Sequence, residues 1–280
     1  MAGFFGLFNY EKAGPGIDKN GPKKKTFVVF FETFFRNFWK FITINLFFSL
    51  ISIPVITNGL SAVGLTNVTR NIARDKHSFG ISDFIDTVKK NWKQSLLAGI
   101  INTLITVVLI FSAYFYSHSK GIMGTVGLGI SLCLSLIFAM MNFFIWTMII
   151  TFKLSLKQIY RNSFKFVFIN LKMNFLCGII LLLSYAIYAV IPFLLGSYWL
   201  FALTIEMIIF VCTFPAFKFL LIQFCTFPAI KKYMIDPYYE EHPDDDIEQR
   251  KNLGLEVDEK YSISPDDEEN GLVFDDNQIL

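Results

Sequence analysis

Charged side chains are scarce in this sequence. Asp, Glu, Lys and Arg make up 17% of its 280 residues, whereas an average soluble domain has about 25%. Hydrophobic residues make up 54% of the chain, and 33 residues are phenylalanine. This composition excludes an ordinary soluble globular protein and indicates an integral membrane protein.

Signatures of catalysis and of nucleotide binding are also missing. Gly14-Pro-Gly16, followed by Lys23–Lys25, superficially suggests a phosphate-binding loop. However, no Gly-Lys-Ser/Thr sequence follows Gly21, and Pro22 stands in its place. The three histidines lie in different connections and lack the spacing of metal ligands. We therefore expect no enzymatic activity, no catalytic residues, no metal, no cofactor and no nucleic-acid partner.

Long uncharged runs predict membrane-crossing helices, because about 20 apolar residues span a hydrocarbon layer of roughly 30 Å. Four crossings are predicted, at residues 95–117, 123–152, 173–195 and 198–222. The region before them is less regular, since Pro54 divides an apolar stretch at 41–56 from a more polar stretch at 57–74. A single passage here gives five crossings, and a hairpin turning at Pro54–Asn58 gives six. A re-entrant second arm is a further alternative.

The basic residues favour six crossings, because Lys and Arg accumulate on the cytoplasmic side of short connections. Of the 22 basic residues before position 236, 20 fall in four clusters, at Lys12–Lys40, Arg70–Lys93, Lys153–Lys172 and Lys231–Lys232. Six crossings place all four clusters on one side, whereas five separate the first cluster from the second. We expect an all-α, polytopic transmembrane helical bundle in the cell membrane, with both termini cytoplasmic.

The net charge of +2 conceals a division of the chain. Residues 1–235 carry 22 Lys+Arg and 7 Asp+Glu, whereas residues 236–280 carry 3 and 16. We predict a cytoplasmic N-terminal segment at 1–26, a transmembrane helical domain at 27–235, and an acidic, mostly disordered cytoplasmic tail at 236–280.

Two basic amphipathic stretches precede crossings and are predicted to be interfacial helices. The first runs from Ile81 to Trp92, and the second has an apolar face from Leu156 to Phe168. Four basic residues form a cationic stripe along the second stretch, at Lys153, Lys157, Arg161 and Lys165. We expect these four side chains to contact anionic lipid, since like charges at this spacing repel one another in water. The alternative is a solvated face.

An internal duplication is a second hypothesis for these stretches. Residues 91–101 align with residues 170–180 at six of eleven positions. Duplicated units are common in transporter folds, although lipid-facing composition can also produce such matches by chance.

Two patterns concern helix packing. Small residues occupy every fourth position of one predicted crossing, at Gly127, Ser131, Ser135 and Ala139. Such a stripe allows close approach of another helix, either within the subunit or from a partner. Thr213-Phe-Pro215 and Thr226-Phe-Pro228 predict two kinks in the last long helix.

Glu206 is the one acidic residue within a predicted crossing. A charge inside a bilayer is costly, which makes this residue a candidate for a functional site. If it faces a pathway, it can bind a cation or exchange a proton. The structural alternative is a carboxyl group that is protonated or hydrogen-bonded to Asn142, Asn102 or a helix of another subunit.

Several segments resemble the YesL-like family of polytopic membrane proteins of Gram-positive bacteria. They are Phe8–Gly16, Lys19–Lys25, Asn45-Leu46 ahead of Pro54–Thr57, and Asp83-Phe84 leading into Asn91–Gln94. The resemblance covers roughly residues 4–235 and leaves out the acidic tail. Members of this family are typically encoded beside carbohydrate ABC importers, so the resemblance implies a role in sugar uptake.

These observations lead to one functional expectation and one alternative. We expect an accessory subunit of a carbohydrate ABC importer, which stabilises or regulates the permease assembly and has membrane lipids, the permease and the ATPase subunits as partners. The alternative is a free-standing transporter or channel for a small solute, with Glu206 in its pathway.

Overall fold

A computed structural model describes residues 25–194 and 198–241, and all regular secondary structure among them is helical. The helices are α1 (Thr26–Arg36), α2 (Phe38–Ser52), α3 (Asn58–Ala73), α4 (Ile81–His118), α5 (Ile122–Thr151), α6 (Leu156–Ile169), α7 (Leu171–Leu194), α8 (Trp199–Ile230) and α9 (Asp236–Glu241). The expected all-α class is therefore confirmed. Nearly all of the predicted N-terminal segment, and the acidic tail beyond Glu241, lie outside the described residues.

Four of the described helical segments are long and apolar enough to cross a membrane. They are Ile81–His118, Ile122–Thr151, Leu171–Val190 and Trp199–Tyr238. Each coincides with one of the four crossings predicted from uncharged runs. The chain is therefore built as a multi-pass membrane protein, because several separate segments have the length and composition of a span.

α2 and α3 form an antiparallel hairpin. At its open end, Lys40 of α2 contacts the segment that follows α3, because its Nζ donates to the carbonyl of Ser78 at 2.9 Å. Near its closed end, the hydroxyl oxygens of Ser52 and Ser61 lie 2.6 Å apart. The chain turns at residues 53–57, where Pro54 precedes a 3₁₀ turn. The arms have 15 and 16 residues, so each is only about 22–24 Å long.

α3 is the central helix of the described structure. It packs against α2, α4, α5 and α8, and ten of its sixteen residues are buried. The hydroxyls of Thr66 and Thr69 donate to the carbonyls of Ala62 and Leu65 in the same helix, which satisfies these buried groups. Because protein rather than lipid surrounds α3, its small and polar residues are compatible with a membrane protein.

The backbones of α3 and α4 meet at two glycines. A Cβ atom on Gly59 would lie 2.1 Å from the carbonyl oxygen of Ser95, and one on Gly99 would lie 2.8 Å from the Cα of Gly59. Farther along α3, Gly64 lies under the ring of Phe84. Only a residue without a side chain allows this approach.

The first predicted interfacial helix is not a separate element, which corrects the sequence interpretation. α4 is continuous from Ile81 to His118, so this stretch and the crossing after it form one helix of about 57 Å. No Gly or Pro interrupts residues 81–98. By contrast, the second stretch is the separate helix α6, which ends where Asn170 leaves the helical conformation.

Burial is concentrated at one end of the molecule. The buried residues of α4 all precede residue 103, most of those of α5 lie at 140–149, and most of those of α8 follow residue 213. The distal half of α4 instead exposes apolar side chains, including Val108 at 65% and Phe111 at 66%. The distal halves of these helices thus have the surface expected of segments that contact lipid or another membrane protein.

The close approach of Gly59 to α4 predicts the effect of a single methyl group. Gly59→Ala should lower the free energy of unfolding by about 1–3 kcal/mol, because α3 and α4 must move apart to admit it. The measurement is the thermal unfolding midpoint in detergent. Gly178→Ala is the matched control, since a Cβ there meets no atom within 4 Å and alanine is the better helix former. Equal destabilisation by both changes would contradict the role of the close contact.

Candidate functional site

The side chain of Asn45 is inserted into the backbone of α8. Its Nδ2 donates to the carbonyl of Cys212 at 2.7 Å, and its Oδ1 accepts from the N–H of Ala216 at 2.8 Å. In a regular helix these two backbone groups bond to each other. The amide therefore bonds to both groups of this helical pair, beside Pro215, and leaves neither group unsatisfied.

A related contact lies beside the second Thr-Phe-Pro sequence of α8. Asn170 donates from Nδ2 to the carbonyl of Cys225 at 3.1 Å, three residues before Pro228. The repeated motif is thus longer than Thr-Phe-Pro. The full repeat is Cys-Thr-Phe-Pro-Ala, at 212–216 and 225–229. In each copy an asparagine from another part of the chain binds the carbonyl of the cysteine. The prolines alone predict kinks, and the repeated cysteine was the signal that sequence reasoning missed.

Asn174 of α7 binds the C-terminal end of α6. Its Nδ2 donates to the carbonyls of Phe166 and Val167, at 3.2 and 3.0 Å. These carbonyls belong to the last turn of α6, where that of Phe166 also accepts from the backbone N–H of Asn170 at 3.1 Å. In the proposed duplication Asn174 aligns with Ser95, whose hydroxyl bonds within the continuous helix α4. The two aligned units therefore differ in structure at this position.

Asn102 and Asn142 form a satisfied polar cluster between α4 and α5. Nδ2 of Asn102 donates to Oδ1 of Asn142 at 2.8 Å, and the hydroxyl of Tyr160 donates to Oδ1 of Asn102 at 2.7 Å. Burial raises the pKa of Tyr160 to about 12, so its hydroxyl keeps the proton that it donates. The cluster thus joins α4, α5 and α6.

Glu206 lies apart from this cluster. It borders a cavity of about 860 Å³ whose other walls come from α1, α2, α7 and α8, and whose lining includes Phe34, Tyr188, Phe214 and Phe217. It also borders a smaller cavity of about 290 Å³. Its Oε1 is buried and makes no hydrogen bond to any side chain or backbone that the structure describes. The carboxyl group is therefore a polar group in an almost wholly apolar surrounding.

The small-residue stripe packs only in part within the chain. A Cβ on Gly127 would lie 2.3 Å from the ring of Tyr116, and Ser131 Oγ lies 2.6 Å from Ser112 Oγ, so these two positions pack against α4. The hydroxyl of Ser135 donates to the carbonyl of Ser131 in its own helix. Ala139, at the end of the stripe, is exposed.

The cationic stripe lies on the outside of the molecule. Lys153, Lys157, Arg161 and Lys165 are all exposed. The opposite face of α6 packs on α5, where Ser163 lies 3.6 Å from the sulfur of Met148. Phe164 and Phe168 are 47% and 54% exposed, so large apolar side chains accompany the cations on the accessible surface. This combination is typical of a surface that contacts anionic lipid.

Contacts of three basic residues connect the first two basic clusters with the beginnings of the third and fourth. Lys40 contacts Ser78, Arg70 donates to Thr151 Oγ1 at 2.9 Å, and the guanidinium of Arg74 lies 3.6 Å from the ring centroid of Phe227. Thr151 precedes the third cluster by two residues, and Phe227 precedes the fourth by four. These contacts lie at the end of the molecule where most buried residues lie.

One family model matches part of the chain. The family is described as a protein of unknown function, DUF624, and its model matches residues 41–113, which are 73 of the 280 residues. The matched region begins in α2, contains all of α3 and ends within α4, so it includes Asn45 and the two facing glycines. No curated protein and no solved structure matches the chain.

The inserted amide predicts a large effect of replacing Asn45. Asn45→Leu should destabilise the protein by about 2–5 kcal/mol, because the Cys212 carbonyl and the Ala216 N–H both lose their buried partner on α2. Asn45→Asp should cost less, since a carboxyl oxygen still accepts from Ala216. The thermal unfolding midpoint in detergent measures both changes. Leu46→Ala, at an exposed neighbouring position, is the control, and the same midpoint for Asn45→Leu as for this control would exclude the bridge as a stabilising element.

Proposed function

We propose that this chain is a non-catalytic accessory subunit of a carbohydrate ABC importer in the bacterial cell membrane. The YesL-like resemblance supports this proposal, and the matched DUF624 model is consistent with it because YesL-like families carry that region. The subunit stabilises or regulates the permease assembly. The energy for transport comes from separate ATPase subunits, since this sequence has no Gly-Lys-Ser/Thr phosphate loop.

The observation that carries the proposal is the buried Oε1 of Glu206, which has no hydrogen-bond partner in the described structure. A polar group that is buried without a hydrogen bond costs about 1–3 kcal/mol. A hydrogen-bond donor on a transmembrane helix of another subunit removes this cost. Such bonds between helices contribute about 1–2 kcal/mol in membranes. Glu206 therefore supports a polar contact to the permease at the centre of an apolar interface.

The cavity beside Glu206 supports the same interface. Its lining is aromatic and aliphatic apart from a few hydroxyls and the carboxyl group, and a volume of about 860 Å³ accommodates several side chains of a docked helix. Tyr198 and Phe201 border it at 73% and 69% exposure. Aromatic residues of this kind are enriched at protein interfaces.

The topology we propose has six crossings with both termini cytoplasmic. The contacts that connect the basic clusters support an even number of passages between consecutive clusters, as the positive-inside rule requires. The antiparallel hairpin of α2 and α3 supplies the first two passages. A re-entrant hairpin is the alternative, because each arm is shorter than the hydrocarbon layer.

Co-purification tests the accessory role. The full-length protein, purified from its native membrane in mild detergent, should retain the permease and the ATPase. Glu206→Leu should lower permease recovery about tenfold, the equivalent of one interhelical hydrogen bond, whereas Glu206→Gln should retain most of it. Ile208→Ala, two residues away and 60% exposed, is the control outside both cavities.

Two results would contradict the proposal. Recovery of the wild-type protein without any permease or ATPase would remove the accessory role itself. Unchanged recovery of the permease with Glu206→Leu would instead leave the accessory role in place and exclude Glu206 as its contact.

The position of Glu206 between two cavities favours one second candidate, a free-standing small-solute transporter or channel. A carboxyl group bordering two cavities can pass a proton between them. Proteoliposomes that contain a pH-sensitive dye measure this activity. The candidate requires proton flux several-fold above that of empty liposomes, and loss of the flux in Glu206→Gln. Equal flux in both proteins would exclude a role for this carboxyl group in transport.

A further inference from the structure

Two arginines stand one helical turn apart at the end of α3. Arg70 is held in place by two neighbours, since it donates from Nη1 to Thr151 Oγ1 at 2.9 Å and from Nη2 to Asn67 Oδ1 at 2.8 Å. Its Nε is buried and donates to no group that the structure describes. Arg70 thus adds a fixed positive charge, and its Nε–H is unused.

Arg74 presents a complete unused edge. Its guanidinium lies over the ring of Phe227, with Cζ 3.6 Å from the ring centroid. Its Nε and Nη2 are both buried and make no hydrogen bond to any described group. These two nitrogens point their N–H bonds in parallel, in the geometry that binds both oxygens of a carboxylate or phosphate.

The two acidic residues that lie closest to this pair in the sequence have other partners. The nearby carboxylate of Asp75 makes an ion pair with Arg36, and Asp83 accepts from the Ser78 hydroxyl and the Phe79 N–H. Burial, followed by the charges of Arg74 and Arg70, lowers the pKa of Lys76. The site therefore has positive charge and directed donors for an oxoanion ligand.

We propose that the Arg70–Arg74 pair is an oxoanion-binding site for a carboxylate of the chain's own acidic tail, residues 242–280. This segment carries 13 Asp+Glu and 3 Lys+Arg, so it is opposite in charge to the pair. It begins directly after α9, which follows α8 through the π-helical turn at Lys231–Ile235, and α8 provides Phe227 at the base of the site.

Tethering favours the tail over a free ligand of the same chemistry. A segment linked to the same chain reaches the site at an effective concentration in the millimolar range. The other source of a suitable oxoanion is the phosphate of a lipid headgroup. Docking of the tail would attach it to the packed, basic end of the molecule, beside the end of α3.

Protection of the tail from trypsin tests this assignment. The tail contains three trypsin sites, Arg250, Lys251 and Lys260, and full-length protein in phosphatidylcholine nanodiscs is digested and followed by intact mass. Rates are normalised to those of the same tail as a free peptide. Arg74→Gln should speed cleavage about tenfold, as expected when one charge-assisted contact is lost. Arg74→Lys, which keeps the charge without the parallel edge, should also speed it.

A double-mutant cycle between Arg74 and the acidic residues of the tail distinguishes loss of this contact from a general loss of stability. Replacing the 13 tail acids by Asn or Gln should speed normalised cleavage to the same degree, and adding Arg74→Gln to that variant should change nothing further. Lys120→Gln, which removes an exposed cation in the connection between α4 and α5, should leave the rate at the wild-type value. Equal rates in the wild type and Arg74→Gln, or independent effects of the two changes, would overturn the proposal.

Two further arms complete the test. If Arg74→Gln does not fold, the tail-neutral variant decides alone, and a wild-type rate in that variant overturns the proposal. Nanodiscs with phosphatidylglycerol examine the lipid source. In one outcome, the protein retains this lipid only when Arg74 is present, and the tail is cleaved as fast as the free peptide in both lipids. That outcome would assign the site to a lipid phosphate and overturn the assignment to the tail.

Discussion

The burial of α3 among four other helices is the constraint on which the rest of the structure depends. Apolar helices gain little from associating with one another in lipid, because lipid tails are as apolar as their side chains. Close packing and hydrogen bonds must hold the bundle instead. Gly59 and Gly99 supply the close packing. The long helices then arrange around α3, and their buried residues concentrate where α3 lies.

Buried amides make the remaining connections. Asn45 joins α2 to α8, and Asn102 with Asn142 joins α4 to α5. Gln223 Nε2 donates to Thr147 Oγ1 at 2.9 Å and joins α8 to α5. An amide has both donors and an acceptor without carrying charge, so it can connect helices in an apolar medium at a lower solvation cost than an ion pair. Oε1 of Gln223, like Oε1 of Glu206, is buried without a partner in the described structure. Gln223 still joins two helices through its nitrogen, whereas no such connection is found for Glu206 among the described residues.

The long helices were predictable and the centre of the bundle was not. Uncharged runs fix the four long helices because their length must match the hydrocarbon layer. α3 was expected to be a weak crossing at residues 57–74, since Gly, Ser, Thr and Asn lower its hydropathy. That same composition suits a helix enclosed by protein, and hydropathy alone does not distinguish the two environments.

Prediction of the site residues from the sequence was limited in the same way. The isolated position of Glu206 was visible as a single acid in a long apolar run, whereas its cavity depends on α1 and α2, more than 160 residues earlier in the sequence. The role of Asn45 was not predicted, because its partners lie in α8 and are backbone groups, which leave no mark in the sequence. The first interfacial helix was wrongly separated from α4, because amphipathic periodicity does not reveal where a helix ends.

The inserted amide of Asn45 also constrains the order of assembly. Its two partners lie 167 and 171 residues later in the chain, so α2 is synthesised long before α8. Until α8 arrives, Asn45 requires another polar partner or water, since an unsatisfied amide in hydrocarbon is costly. The Cys212 carbonyl and the Ala216 N–H of α8 likewise gain the Asn45 amide as a partner only on contact with α2. The backbone of the last long helix to be made is therefore completed by a side chain from the first part of the bundle, which makes closure of the fold a late event that depends on the whole chain.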